Sequence, residues 1–286
     1  MARRPELAKA DETAQALEQF ATLIRDAEMT PPSRKKVLAA ISDMKDALHV
    51  LERNIDPIRM PDAFFDPSEP RLIGHFVALA LISQERYPLS EITASYGSGV
   101  YAIYYNGPSD IYAPISQTET PIYVGKADPP TGAKSVIEQG TKLFGRLNEH
   151  RKNIDKVAGI DLADFECRAL AVQSGYQAAA ENHLIRLFMP IWNNETRILF
   201  GIGKHGDAAT TRANNKSPWD TIHPGRAWAG GNPEAKTADS ICAEVAEHFR
   251  KTPIFGATGD VFNAFAEGIR QADHVDAENE AIFEEG

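Results

Sequence analysis

Six side chains near the middle of the sequence have types that together serve phosphodiester cleavage. Tyr101 and Tyr123 stand 22 residues apart, each in a short β-branched and aromatic stretch beside a glycine. Arg146 and His150 are four residues apart on one predicted helix, and so share a face. Glu181 lies on the next predicted helix among Ala178, Ala179, Ala180 and Leu184, where a carboxylate needs a reason. Asn193 follows directly after Pro190-Ile191-Trp192. Each has an ordinary reading when taken alone. A strand tyrosine is usually core, an Arg–His pair at this spacing is usually solvated, and a lone Glu is usually surface. Together they offer a ligand for a hard cation, a cation for phosphate oxygens, and hydroxyl or imidazole groups to handle the proton of a water.

The surrounding pattern predicts elements able to position that set. Gly99 to Tyr105 reads as a strand and is followed by the turn signal Asn106-Gly107-Pro108. Pro121 to Gly125 reads as a second strand and Phe165 to Val172 as a third. Helices are expected from Thr141 to Asn153 and from Gln177 to Met189, where Pro190 stops the second. The result is a β-β-α-β-α unit.

Ahead of it, Leu17, Phe20, Ala21 and Ile24 fall at helical spacing until Thr30-Pro-Pro-Ser33 interrupts. Ser33 is the expected N-cap of a second helix, whose stripe is Val37, Leu38, Ile41, Met44, Leu48 and Leu51. Such a stripe is core or a partner surface. A third helix is expected from Arg71 to Glu85. Residues 204–230 read as a long loop, followed by helices near 235–249 and 261–269. The end, 272–286, carries six acids without Lys or Arg, and partial disorder is expected there.

The fold class expected is α/β (α+β). A small, three-stranded, mainly antiparallel sheet is flanked by helices, with added helical N- and C-terminal segments. The domains expected are a helical extension at 1–60, a central domain at 61–230 with a loop at about 201–230, and an acidic helical extension at 231–286.

Composition sets limits. With 286 residues, 43% hydrophobic and 24% charged, the chain is neither collagen-like, coiled-coil nor wholly disordered. Its longest apolar run, 76–82, is too short to span a bilayer, and no apolar segment follows the basic start. Cys167 and Cys242 make neither a disulfide framework nor a four-cysteine zinc site. The expected location is cytoplasmic, with reduced thiols. The net charge of −10 speaks against a nucleic-acid partner only until it is divided. Residues 1–98 hold 12 Lys+Arg against 15 Asp+Glu, 99–230 hold 14 against 13, and 231–286 hold 4 against 12. The acidity is therefore concentrated at the C-terminal end. Gly201-Ile-Gly-Lys-His-Gly206 fits a dinucleotide-loop pattern, but no helix is expected directly after it.

Gly99-Val100-Tyr101 and Tyr123-Val124-Gly125 resemble the signature of the GIY-YIG nuclease superfamily, with Val for Ile in both. The ordered Arg146, His150, Glu181 and Asn193 extend that resemblance. Residues from about 61 to 226 further resemble the type II restriction endonucleases that cut the palindrome CCGCGG. The carriers are Phe64-Phe-Asp-Pro-Ser-Glu-Pro-Arg71, Ala180-Glu-Asn-His-Leu-Ile185 and Ser217-Pro-Trp-Asp-Thr-Ile-His-Pro-Gly-Arg226. The resemblance implies one Mg2+ per active site on Glu181, with Tyr101 positioning or deprotonating the attacking water and Arg146 holding phosphate oxygens. His150, Tyr123 and Asn193 would complete the site, and whether Tyr101 or His150 takes the proton stays open. Double-stranded DNA, a homodimer on the palindrome and a cognate methyltransferase that is not stably bound are the implied partners. A repair or homing nuclease, or a DNA-binding module without catalysis, is the alternative.

For DNA contact the candidates are Lys126, Lys204, Arg212, Asn214, Asn215, Lys216 and Arg226. Arg and Lys can read guanine or touch phosphate alone. Arg212 or Lys216 is the expected reader, and Arg226 beside Pro224-Gly225 is expected on phosphate or in a structural role. The next segment to consider is 128–142, with Lys134 and Gln139.

Overall fold

The computed structural model describes residues 5–25, 29–55, 70–203, 216–229 and 235–272. The chain divides into two compact units, residues 1–64 and 65–286. The first contains α1 (Pro5–Arg25) and α2 (Pro31–Ile55). Because α2 begins at Pro31, Thr30 precedes it and Ser33 falls inside its first turn. A proline fits that first position because its missing N–H would have no helical partner. Leu17, Phe20 and Leu23 of α1 and Leu38, Met44 and Leu48 of α2 are exposed.

The second unit is built on four antiparallel strands in the order β1-β4-β2-β3. These are β1 (Tyr87–Pro88), β2 (Gly99–Tyr105), β3 (Tyr123–Ala127) and β4 (Phe165–Ala171). One strand more is present than the three expected. Tyr87 and Pro88 pair with Cys167 and Glu166 at the sheet's edge, the place where a proline without an N–H is tolerated. Two residues are too few to show a period in sequence.

All seven residues of β2 are buried because the strand lies inside the sheet and is covered on both faces. Tyr101, Ile103 and Tyr105 point into one apolar core, with Leu143, Leu147, Trp192, Trp219 and Val245. Val100, Ala102 and Tyr104 point into the other, with Leu81, Leu184, Phe188, Val261 and Phe265. This double cover is why the sequence reads as an unbroken apolar run rather than an alternation. The first core is closed by α4 (Lys142–Ile154), α6 (Pro218–Ile222) and α7 (Ala238–Lys251). The second is closed by α3 (Pro70–Ile82), α5 (Gln177–Phe188) and α8 (Thr258–Ala272).

Two endings differ from expectation. The third helix stops at Ile82, where Ser83 Oγ and Gln84 Nε2 donate to the Leu79 and Ala80 carbonyls. The expected loop 204–230 contains α6, started by a capping box in which Ser217 and Asp220 satisfy each other's backbone N–H. The disorder expected at 272–286 falls, apart from Ala272, outside the described residues. Among the described residues, no helix is long and apolar enough to cross a membrane.

Candidate active site

The sheet register places Tyr101 of β2 opposite Gly125 of β3. The tyrosine ring lies over that glycine. A Cβ at Gly125 would stand 2.6 Å from Tyr101 Oη and 2.9 Å from Tyr123 Cε1, so close approach makes glycine necessary there. From α4, His150 reaches the same point, and its Nε2 shares a hydrogen bond of 2.8 Å with Tyr101 Oη. The Tyr123 ring is 4.6 Å from the His150 ring, centre to centre. One turn before His150, Arg146 pairs with Glu149 and is about one-third exposed.

Glu181 enters from α5, which packs on β2 and β3. One cleft of about 590 Å3 is lined by Glu181, Tyr123, Arg146, Asn182, Glu195 and Lys216 among others. Another of about 690 Å3 is lined by the same Glu181, Tyr123 and Arg146, with Lys126, Lys142 and Glu149. The three shared side chains join the clefts into one trough.

The electrostatics follow from burial. Burial raises the Glu181 carboxyl to about 7; the Lys126 charge opposes it, while Glu195 and Asp128 push the same way. Burial also holds the Tyr101 phenol well above its ordinary value, against the pull of Arg146. The Tyr123 phenol is raised for the same reason. A phenol held this high does not ionise by itself near neutrality. The hydrogen bond to His150 provides the other route, because Nε2 can accept the phenol proton when the imidazole proton is on Nδ1.

Asn193 lines the same cleft as Glu181 and Arg146, with both ends of its side-chain amide engaged by β3. Its Oδ1 accepts from the Val124 N–H at 3.0 Å and its Nδ2 donates to the Val124 carbonyl at 2.9 Å. This amide behaves like a short strand added to β3, and holds the strand that carries Tyr123. Asn193 is a positioning residue in this geometry.

As for a cation, no group of three or more His, Cys, Asp or Glu able to hold a metal occurs among the described residues. Glu181 is a carboxylate of the trough beside Arg146, with Glu195, Asp128 and Glu149 also on its walls, and a hard cation that keeps several waters needs only one or two such ligands beside a substrate phosphate.

Residues 93–249, more than half of the chain, match the family model described as the Eco29kI GIY-YIG domain. The chain belongs to that family. It is a GIY-YIG restriction-type nuclease, and its substrate is DNA. None of the curated proteins matches the chain. The match continues past 230 to Phe249, and Ile241, Val245 and Phe249 of α7 pack in the same apolar core as Tyr101.

The expected DNA contacts divide into three groups. Lys126 and Lys216 line the trough of the nuclease, with Lys126 Nζ 3.3 Å from Asp128. Lys204, Arg212, Asn214 and Asn215 lie outside the described residues. Arg226 is inside the protein. Its side chain is 1% exposed and its Nε donates to Asp220 Oδ1 at 2.7 Å. Its other nitrogens donate to the Ile202 and Gly201 carbonyls, between the Trp219 and Trp228 rings at 4.6 and 4.7 Å. The structural role is therefore the one it fills, and the reading of Arg226 as a DNA contact is replaced. His223 is likewise core: it bonds Tyr112 Oη at 2.6 Å, and burial lowers it to about 4.

Sequence reasoning missed Glu149 and Glu195, which carry no motif, and Asp220, which the Ser217-Pro-Trp-Asp220 capping pattern does announce. It also misjudged Gln139. That side chain accepts from the Ser98 N–H and donates to the Val172 carbonyl, both at 2.9 Å, so it braces the protein internally.

Proposed function

We propose that this nuclease is a type II site-specific endonuclease that hydrolyses both strands of duplex DNA at the palindrome CCGCGG. The observation that carries the reading is one trough in which Glu181, Arg146 and Tyr123 meet, beside the hydrogen-bonded Tyr101–His150 pair. One Mg2+ per site would be held by Glu181. Bound there, the ion supplies positive charge to the phosphate and acidifies a water. Arg146 would hold the non-bridging oxygens, where its planar fork suits a phosphate. Tyr101 would orient the attacking water and take up its proton while passing its own to His150, so that no free phenolate has to form.

Lys216, and Arg212 beyond the described residues, are proposed to read guanine, and Lys126 to touch phosphate. A palindrome cut on both strands calls for a two-fold homodimer with one site per subunit. A methyltransferase modifying the same sequence would protect the host's DNA without stable binding. Digestion of a plasmid with one CCGCGG site in Mg2+ tests the reading. A single linear product supports it. Nicked or nonspecific product would indicate a repair-type or homing-type activity, and a gel shift without cleavage a binding module.

A further inference from the structure

The α4 helix carries four cations, Lys142, Arg146, Arg151 and Lys152, and a single acid, Glu149. That acid stands where phosphate would approach. Glu149 lines the cleft shared by Arg146, Lys126, Lys142 and Glu181. A carboxylate on the wall of a trough that takes DNA repels the substrate, so its place needs a reason. The ion pairs of the cleft supply one. Lys126 Nζ is 3.3 Å from Asp128 Oδ2, and Arg146 Nη1 donates to Glu149 Oε2. Without DNA, the trough therefore covers two of its cations with its own acids.

The two acids are held differently. Asp128 is tied to the body, because its Oδ1 accepts from Gln177 Nε2 at 3.2 Å. Glu149 reaches its partner from three residues further along the same helix, and the two side chains are open to water, Arg146 at 35% and Glu149 at 43% exposure. Water screens such a pair, and an acid placed after its base is the weaker order on a helix, so the contact opens readily. An exposed pair at this spacing is ordinary on a helix surface. Here, however, its cation is the one that would clamp the phosphate. A carboxylate and a phosphodiester offer a guanidinium the same feature, two oxygens set for parallel N–H bonds. With Nη1 held by Glu149, the end of the fork is closed to a phosphate. A phosphate on Arg146 would in turn stand against the Glu149 charge, so the two anions exclude each other.

We propose that Glu149 is a stand-in for the substrate phosphate: in the DNA-free enzyme its carboxylate occupies Arg146, and DNA binding exchanges one anion for the other. This rests on the nuclease reading above. Glu149 is then a positioning residue that sets how readily the clamp takes phosphate. The test measures binding, without Mg2+, to a plasmid fragment that the wild type cleaves. Four proteins are compared at several salt concentrations: the wild type, Glu149→Gln, Arg146→Ala and the double variant. Gln keeps the size of the side chain and removes its charge. Glu149→Gln should lower the dissociation constant about threefold at low salt and steepen its salt dependence by about one counterion. In the Arg146→Ala background the same substitution should do far less, because no fork is left to free. An equal gain in both backgrounds would make Glu149 a bare charge near DNA and overturn the exchange. Unchanged or weaker binding by Glu149→Gln would also overturn it, and either result leaves the nuclease reading standing. A wild type that cuts no plasmid would sink both.

Discussion

At neutral pH, about half of the Glu181 carboxyls carry a proton where a cation would bind, because burial raises the group to about 7. A carboxyl raised in the folded state from 4.5 to about 7 makes the protein lose stability as pH rises through that interval, since the charged form is buried. A cation would relieve that cost. Mg2+ should therefore bind more tightly, and raise the melting temperature more, at pH 8 than at pH 6; an equal shift at both would remove Glu181 as its ligand. Glu181→Gln should abolish cleavage yet keep DNA binding, measured by gel shift beside a plasmid digest. Arg146→Ala should lower the single-turnover rate by orders of magnitude, because charge developing on the phosphate loses its donor. Lys126→Ala should change it little. The reverse order would mean that the α4 face is not the phosphate clamp.

The elements determine how closely these residues are held. Gly125→Ala would put a methyl carbon 2.6 Å from Tyr101 Oη, in a strand that cannot move without breaking its pairing with β2. The ring must shift instead. A loss of about a hundredfold in cleavage rate is expected, with the circular dichroism spectrum kept. A wild-type rate would exclude Tyr101 from the reaction. Asn193→Ala removes both clasps on Val124 and should cost about 1–3 kcal/mol in denaturant unfolding, because a buried N–H and carbonyl lose their partners. Arg226→Ala strands Asp220, 2% exposed, and should cost more, about 3–5 kcal/mol.

What the sequence made legible follows the same division. The strands at 99 and 123, the α4 pair Arg146–His150 and the lone Glu181 are local patterns, and local patterns survive translation into a chain of letters. Asn193 is visible as a residue but not as a clasp on β3, and for Arg226 the structural role is one of the two the sequence offers, without its partners. Their partners, Val124 and Asp220 with the Gly201 and Ile202 carbonyls, are chosen by tertiary contact. The β1 strand was too short to carry a period, and Gln139 looked like a surface amide because nothing nearby in sequence announces Ser98 or Val172.

For the whole molecule, charge is distributed unevenly enough to act on binding. Residues 273–286 hold six acids and no Lys or Arg. Ending the chain at Ala272 should strengthen DNA binding at low salt and change it little at high salt, where screening removes the repulsion. Ending it at Thr252 instead should destabilise the fold, because Val261 and Phe265 of α8 fill one of the two cores. Two melting curves distinguish these cases. The Arg226 knot has a consequence at this scale as well. A Cβ at Gly201 would touch Ser217 Oγ, 2.4 Å away, so these two residues, one on each side of 204–215, are held at nearly one point. Where the ends are held so close, each doubling of a flexible connection costs only about 0.6 kcal/mol of closure entropy. Insertions or exchanges within 204–215 should therefore leave the Tyr101–His150 pair and the melting temperature nearly unchanged, which would let one catalytic body acquire new sequence preferences through a single segment.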